Sequence, residues 1–380
     1  MHKLYKSKCS ELNVHPVSFE KYRRVFRSYN LGFHKPKKDQ CKKCLKYTNM
    51  TEDEKKTHEQ AHHEHMLRKK LAREARDEDK EIAKNNSAVL SFNFDLEAVL
   101  TTPKGPTGQI FYLRKLAIYN LTIYNLGNQD GICYLWDETQ GKRGSNEISS
   151  CIYNYIINQP NITEVRMMSD GCGGQQKNSH FAAMCLKLLT DHTKLRTIDH
   201  RFFESGHTEM ECDSLHSKIE QKSKYVPGYS PEGWAQIIRS ARTHPRPFEV
   251  RYMMFDDIFD FKSFGTRNYK LNQIPWQQVC WLQYVKTDDV VTMSYKKNFG
   301  DEFQRVNSIK SRGRPKKDDL KKAYDEQLPI AIAKYKDLQK MCNDLTIPKN
   351  YHNFYNSIKA DKIIRDNLPE TNESEDSDER

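Results

Sequence analysis

The sequence contains no long apolar run. Its uninterrupted apolar stretches are only a few residues long, as at Ala88-Val89-Leu90, whereas a helix that crosses a bilayer needs about 18 or more. Met1 is followed by His2 and Lys3 rather than by the apolar core of a secretory signal. The sequence therefore predicts a soluble, intracellular protein with no membrane partner.

A disulfide framework is not expected either. The ten cysteines are irregularly spaced in a chain of 380 residues, which is too long for a small domain held together by disulfides. We expect reduced thiols, most of them packed as small apolar side chains, together with a metal site.

Acidic residues are scarce at the start of the chain. Residues 1–50 hold 13 Lys and Arg against three Asp and Glu, so nearly all of the net charge of +11 is local. A local basic patch attracts phosphate backbones through counterion release, although it also suits a membrane surface or a plain solvated face. We expect DNA as the partner. The side chains expected to contact it are Arg23, Arg24, Arg27, Lys37, Lys38, Lys177, Arg312 and Arg314.

Composition divides the chain into five segments. They are a basic helical head with a zinc-binding motif (1–86), a catalytic core (87–247), a small β-rich appendage (248–310), a basic linker with a C-terminal helix (311–368) and a disordered acidic tail (369–380). The head ends in a stretch, 51–84, that has no Pro or Gly. Its charged helix formers predict a long, polar, solvent-bridging helix.

Strands and helices alternate in the core. Strands are expected at 88–100, 110–123, 131–136, 165–169 and 196–203, and helices at 145–157, 179–192 and 208–224. The helix at 145–157 has apolar residues at i, i+3 and i+4 spacing after Asn146 and Glu147. Strands followed by this alternation predict a mixed α/β sheet that is covered by helices.

A cysteine pair and a histidine pair have the spacing of a zinc site. Cys41-x2-Cys44 is followed after 13 residues by His58-x3-His62. Two cysteines in a tight turn and two histidines one helical turn apart can complete a tetrahedron, so we predict a structural Zn²⁺ ion at these four residues. His63 and His65 are alternative ligands. The competing interpretation is a solvated, His-rich helix with two incidental thiols.

Three aspartates stand out by their context. Asp95 lies in the middle of an apolar strand, where an isolated charge is costly unless it is paired or bound to metal. Asp170 ends a strand before a Gly-rich turn, and Asp213 lies near the start of a helix. If they meet at one edge of the sheet, they can hold two Mg²⁺ or Mn²⁺ ions about 3.5–4 Å apart for phosphodiester chemistry. Alternatively, backbone amides satisfy Asp95, Asp170 belongs only to a turn and Asp213 caps a helix.

Other side chains are candidates for the same site. Glu220 is the main rival of Asp213 as third metal ligand, and Glu97 or Asp137 could supply a fourth. His207 could contact a phosphate or transfer a proton, or it could only cap the helix. The turn at 173–178 could let DNA approach the backbone and present Lys177.

Five short motifs carry a resemblance to a known family. They are Phe94-Asp-Leu-Glu97, Trp136-Asp-Glu138, Arg143-Gly-Ser-x-Glu147-Ile148, Asp170-Gly-Cys-Gly-Gly-Gln-Gln-Lys-Asn178 and Gly206-His-Thr-x4-Asp213-x5-Ile219-Glu220. Between about Lys35 and Lys224 the chain resembles a multicopy, transposase-like family of animal genomes, catalogued mainly as a domain of unknown function. One departure is Gln175-Gln176, where the family pattern has Gln-Asn.

The resemblance implies an RNase H-like core of the DDE/DDD group. Its activity would be that of an Mg²⁺- or Mn²⁺-dependent DNA nuclease or strand transferase. Apart from the resemblance, a homo-oligomer is a further candidate partner. Asp95, Asp170 and Asp213 would be the metal ligands, and His207 and Glu220 further catalytic candidates. The alternative is a catalytically inactive, zinc-dependent DNA-binding or chromatin-interaction protein.

A basic motif near the C-terminus predicts a nuclear protein. Arg312-Gly-Arg-Pro-Lys-Lys317 resembles the AT-hook peptides that insert Arg into a narrow minor groove, and it also suits a nuclear-import signal or a plain linker. Because the zinc motif lies close to Met1, we also expect a fragment or a domesticated copy that lacks an upstream DNA-binding region.

Overall fold

The computed structural model describes residues 2–29, 40–288, 290–307 and 320–366. The helices in these ranges are α1 (His2–Glu11), α2 (Phe19–Ser28), α3 (Lys42–Thr48), α4 (Glu52–Asn85), α5 (Gly108–Tyr112), α6 (Ser145–Ile157), α7 (Ser179–Asp191), α8 (Glu211–Ser223), α9 (Pro231–Ser240), α10 (Phe261–Asn268), α11 (Ile332–Asn343) and α12 (His352–Asn356). The strands are β1 (Val89–Leu96), β2 (Leu100–Thr102), β3 (Leu116–Asn125), β4 (Gly131–Asp137), β5 (Glu164–Ser169), β6 (Thr197–Phe202), β7 (Glu249–Tyr252), β8 (Trp281–Thr287), β9 (Val290–Lys296), β10 (Gln304–Val306), β11 (Ile330–Ala331) and β12 (Ala360–Asp361).

Ten of these strands form one mixed sheet. The order is β10-β9-β8-β6-β5-β1-β3-β4-β7, and β2 pairs with β3. Strands β1, β3 and β4 are antiparallel neighbours, whereas β5 is parallel to β1 and β6 is parallel to β5. The expected mixed α/β class is therefore confirmed.

The segment expected as a β-rich appendage belongs to the same sheet. Its first strand, β7, pairs in parallel with β4 at one edge. Strands β8, β9 and β10 extend the sheet beyond β6 in antiparallel order. The β character of 248–310 thus agrees with the spaced aromatic and aliphatic residues of that segment, but the pairing joins it to the core.

The central strand β1 alternates between the two faces of the sheet. Phe92 and Phe94 pack against α6 and α7, with ring centroids 5.2 Å from Tyr155 and 5.7 Å from Phe181. The side chain of Asn93 faces the other way and donates a hydrogen bond of 2.5 Å to Glu211 on α8. Asp95 shares the Asn93 face because side chains alternate along a strand, so it lies beneath the start of α8.

Helix α4 is attached to this sheet along one stripe. His65, Ala72 and Asp79 are its buried residues, at intervals of seven, which is close to two helical turns. Asp79 forms ion pairs with Arg166 of β5, at 2.9 Å, and with Arg201 of β6. The expectation of a solvent-bridging helix is therefore corrected: the long polar helix docks on the core through the paired charge of Asp79 and through buried Ala72.

The C-terminal part makes a smaller apolar cluster. Leu338 and Met341 of α11 pack with Ile110, Leu116 and neighbouring buried residues. Helix α11 ends at Asn343 and lies within the segment where a C-terminal helix was expected. The linker from 308 to 319 and the acidic tail lie outside the described residues. No helix in the described part of the chain combines the length and the apolar character that crossing a membrane requires.

Candidate metal centres

Two cysteines and two histidines meet where the head touches the core. Cys41 is the residue before α3, Cys44 lies in the first turn of α3, His65 lies on α4, and His207 follows β6. Each offers a ligand atom within 4.8 Å of the other three. Cys41 and His65 are buried, and Cys44 and His207 are partly exposed.

Three distances in this group are close to the edges of a zinc tetrahedron. The Sγ of Cys41 lies 3.2 Å from Nε2 of His65, the Sγ of Cys44 lies 3.3 Å from Nε2 of His207, and the two Nε2 atoms are 3.1 Å apart. Zinc bonds of about 2.3 Å to sulfur and about 2.05 Å to nitrogen require edges of about 3.6 Å and about 3.3 Å. These three distances fit a zinc ion after adjustments of a few tenths of an ångström, and the remaining ligand atoms lie within 4.8 Å of one another.

An acidic residue orients one of the imidazoles. Oε1 of Glu204 lies 2.8 Å from Nδ1 of His65, and its other oxygen accepts a hydrogen bond of 3.0 Å from Nε of Arg68. Lys43 lies 3.6 Å from the same carboxylate. When Nδ1 donates its proton to Glu204, the lone pair of Nε2 faces the sulfurs, which is the carboxylate–histidine arrangement found behind zinc ligands.

A glycine permits the close approach of the head to the core. Gly206 has a φ of +75°, and a Cβ at this position would lie 2.7 Å from the Cα of Cys41. Both the left-handed backbone and the lack of space favour glycine at this position. The Gly206-His207 pair therefore brings the fourth ligand against the first.

The structure selects different histidines from those that the spacing predicted. His58 is exposed, with its Nδ1 3.0 Å from the carbonyl of Glu54. The ring of His62 stacks on Tyr47 at a centroid distance of 3.9 Å. Neither belongs to the four-residue group, in which His65, an alternative from the sequence, and His207 take their places. The two expected cysteines are retained.

A second group of possible ligands lies at the end of β1. Asp95, Asp213 and His216 each offer a ligand atom within 4.8 Å of the others. Asp213 lies in the first turn of α8 and His216 one turn later, so both face β1 from the same side of the helix. His216 was not identified from the sequence, because a lone histidine in a helix belongs to no motif.

The electrostatics of Asp95 reflect the crowding of acids. Burial and the nearby charges of Asp170 and Asp213 raise the pKa of Asp95 well above its usual value, and Arg143 opposes them. Burial lowers the pKa of His216 to about 4. The contact of 3.9 Å between His216 and Asp95 therefore involves a neutral imidazole near pH 7. Among the described residues, Nε2 of His216 has no hydrogen-bond partner.

Asp170 lies next to this group at the end of β5. Its Oδ1 accepts a hydrogen bond of 3.3 Å from the amide of Cys172 and another from the side chain of Gln176. The glycine turn is thus folded around the carboxylate, which both Cys172 and Gln176 hold. Asp170 lies outside the 4.8 Å group but close enough to raise the pKa of Asp95.

Three other candidate metal ligands, Glu220, Glu97 and Asp137, are not members of this group. Glu220 is exposed and lies 3.5 Å from Lys224. Glu97 is buried and accepts a hydrogen bond of 2.7 Å from Asn120, and Asp137 binds the amide of Thr139 at 2.8 Å. The Oδ2 of Asp213 accepts the amide of Met210 at 2.8 Å, so this residue also caps α8, as the alternative interpretation proposed.

The expected DNA contacts fall into three sets. Arg23, Arg24 and Arg27 are exposed on α2. Lys177 lies over the ring of Phe202, 5.1 Å from its centroid, beside the glycine turn. Lys37, Lys38, Arg312 and Arg314 lie outside the described residues.

Part of the chain is similar to a known family. Residues 122–301 match the family described as "Domain of unknown function (DUF7869)". No curated protein matches the chain. No solved structure matches it either.

The matched segment contains only part of each metal group. It includes His207 of the first group and Asp213 and His216 of the second, together with Asp170. The remaining ligands of both groups precede it. Both groups therefore join the matched segment to the N-terminal third of the chain.

Proposed function

We propose that this chain is a divalent-metal-dependent enzyme that cleaves or transfers DNA phosphodiesters. In this proposal an RNase H-like core carries the reaction and a zinc-bound head supports it. The observation that carries the proposal is the second group, in which ligand atoms of Asp95, Asp213 and His216 approach within 4.8 Å of one another. Asp170 is close enough for its charge to add to the effect of burial in raising the pKa of Asp95.

The order of the strands supports an RNase H-like core. The central five strands run β4-β3-β1-β5-β6, with three antiparallel strands followed by two that are parallel to β1. This is the arrangement expected of such a core. The acids lie on its first strand, after its fourth strand and on the helix that follows its fifth, at one edge of the sheet.

The side chains of this group suit hard divalent cations. Carboxylates held close together repel each other, and divalent cations relieve that repulsion. Bound Mg²⁺ or Mn²⁺ would supply activation of water or a 3′-hydroxyl and stabilisation of the leaving oxygen. Asp95 and Asp213 would hold the ions from β1 and α8, Asp170 would approach from β5, and neutral His216 would offer a nitrogen ligand or accept a proton.

The head has a structural role in this proposal. A zinc ion held by Cys41, Cys44, His65 and His207 would fasten α3 and α4 to the segment that leads into α8. The exposed Arg23, Arg24 and Arg27 on α2 favour contact with a phosphate backbone. DNA as the partner implies that the protein works in the nucleus.

The test compares two acids of the same helix. We expect Asp213→Asn to abolish Mn²⁺-dependent cleavage of a labelled DNA duplex, because it removes a metal ligand. Glu220→Gln should cleave like the parent, since Glu220 is exposed and pairs with Lys224. Melting temperatures show whether both variants are folded. Cleavage by the folded Asp213→Asn variant at the parental rate overturns the assignment.

A second function is favoured by the difference between the two groups. Two of the four residues in the cysteine–histidine group are buried, whereas Asp213 is exposed and the other two members of its group are partly exposed. This contrast suits a zinc-dependent DNA-binding protein that no longer cleaves. DNA binding that is lost on zinc removal, with no cleavage in Mg²⁺ or Mn²⁺ by the unmodified chain, would establish this alternative.

A further inference from the structure

A cavity opens at the edge of the sheet near the acids. Its volume is about 620 Å³. The walls are formed by β2 and the first half of β3, the loop at 141–143, the start of α11 and residues 364–366. Leu96 pairs with Leu121, and the wall residue Tyr119 lies two positions beyond that pair, so the cavity begins next to the end of β1.

The acids in the cavity wall are already paired with basic side chains. Glu138 binds Lys334 through both oxygens, at 2.7 and 2.9 Å. Asp366 pairs with Lys334 at 2.9 Å and with Arg114 at 3.2 Å. Lys334 is buried, so this triad forms a closed polar network in the wall. The carboxylates of Glu138 and Asp366 are therefore engaged by Lys334 and Arg114 and not by the other cations of the cavity.

Four further basic residues line the cavity. Within the described residues, their side chains form no hydrogen bond or ion pair. They are Lys115, Lys142, Arg143 and Arg365. Lys115 is half-buried, and burial alone lowers its pKa. A partly buried ammonium group without a counter-charge is unfavourable, and an anion in the cavity would relieve that cost.

The loop that presents two of these cations is held rigidly. Glu147 accepts hydrogen bonds from the amides of Lys142, at 3.0 Å, and Gly144, at 3.1 Å. Nε1 of Trp136 donates to the carbonyl of Lys142 at 3.0 Å. The Arg143-Gly-Ser-x-Glu147 motif therefore fixes the backbone from which Lys142 and Arg143 project, which lowers the entropic cost of binding a ligand.

Arg143 connects the cavity with the acidic group. Burial raises the pKa of Tyr119, in the cavity wall, and that of Asp95, and the charge of Arg143 opposes both shifts. Tyr119 and Asp95 belong to opposite faces of the sheet, because Tyr119 shares the face of Leu121 and Leu96. Arg143 therefore acts across the edge that separates the two.

We propose that this cavity binds phosphate groups, and that these belong to the nucleic-acid strand on which the acidic group acts. The identity of that strand as the ligand rests on the proposed function. A strand that crosses the sheet edge at Arg143 places successive phosphates against Lys115 and the neighbouring cations, while the acids lie on the other side of the edge. A free phosphate compound has the same chemistry and is the alternative source.

The experiment uses the full chain without added Mg²⁺ or Mn²⁺. Binding of a labelled single-stranded oligonucleotide is measured by fluorescence anisotropy as a function of salt, and inorganic pyrophosphate is added as a competitor. Lys115→Gln combined with Arg143→Gln should weaken binding roughly 10- to 30-fold near ~0.1 M salt and lower the salt slope by about 1.4, since each single-strand phosphate contact contributes about 0.7. Arg143→Gln alone, at an exposed position, serves if the double variant fails to fold.

Lys270→Gln is the matched control. Lys270 is exposed. Burial and the nearby charge of Asp191 raise the pKa of its neighbour Tyr269 to about 12, so Lys270 lies near the end of α7, away from the edge that carries the acids. Its affinity for the oligonucleotide should stay within about twofold of the parent, as expected for one distant surface charge.

The outcomes separate this proposal from the proposed function. Weaker oligonucleotide binding in the double variant, with parental binding in the control, supports the proposal. If the double variant loses pyrophosphate binding but keeps parental oligonucleotide binding, the cavity is a phosphate site and its assignment to the strand is overturned. If the double variant binds both the oligonucleotide and pyrophosphate like the parent, the proposal is wrong. A chain that binds both ligands through the cavity but never cleaves DNA with Mn²⁺ contradicts the proposed function instead.

Discussion

His65→Ala distinguishes the zinc site that the structure assembles from the one that spacing predicts. His62 lies three residues away on the same helix, but its ring stacks on Tyr47, whereas Nε2 of His65 lies 3.2 Å from the sulfur of Cys41. The free energy of binding a structural zinc ion is about 10–16 kcal/mol in zinc-finger peptides. Loss of one donor in four therefore costs about 3 kcal/mol, or roughly 100-fold in affinity.

The assay is competition for Zn²⁺ with a chromophoric chelator, with metal content measured on the purified variants. His62→Ala is the matched control and should retain one zinc ion per chain at parental affinity. The zinc affinity of Glu204→Gln should lie between those of His62→Ala and His65→Ala, about 10- to 100-fold weaker than the parent. The hydrogen bond to His65 is impaired in this variant, but the ligand remains. If His62→Ala loses zinc and His65→Ala keeps it, the assignment from the structure is wrong.

Three further outcomes follow from the structure. Asp79→Ala should lower the free energy of unfolding in urea by about 3–5 kcal/mol by breaking a buried ion pair, whereas Asp77→Ala, whose side chain is 63% exposed, should change it by less than about 1 kcal/mol. Burial raises the pKa of Glu97 to about 8 from 4.5, so the folded state holds the proton longer and stability should fall as pH rises from 4.5 to about 8; a Glu97→Gln chain that shows the same decline would refute this. Gly206→Ala should weaken zinc binding at least tenfold in the chelator assay, because its Cβ would lie 2.7 Å from the Cα of Cys41, and unchanged affinity would mean that the close approach is dispensable.

Local patterns in the sequence predict the elements well and their docking poorly. The helix expected at 145–157 is α6 with the same boundaries, because its apolar spacing and Glu147 are local signals. The long helix at 51–84 was also expected, but only three of its residues are buried. Its attachment depends on Asp79 meeting two arginines from distant strands, and an ion pair leaves no periodic apolar pattern in the sequence.

The metal groups show the same division. The cysteine pair is detectable because both ligands lie within four residues. His207 lies 142 positions from His65, and the pairing of β6 with β5 is what places it nearby. The contribution of His216 depends on the rotation of α8 over β1, which no spacing rule gives. The same holds for β8, because its place beside β6 depends on long-range register rather than on composition.

The segment from Glu204 to Asp213 makes the two metal groups interdependent. It carries His207 in the first group, and the amide of Met210 donates to Asp213 in the second at 2.8 Å. Met210 is buried against Ala72 of α4, so the long helix supports the turn between the groups. Because the far half of α4 is pinned separately by Asp79, the loss of zinc would release the near half of the helix and this turn while the sheet stays intact. The zinc ion would therefore act less as a stabiliser of the whole fold than as the support that keeps Asp213 over the end of β1.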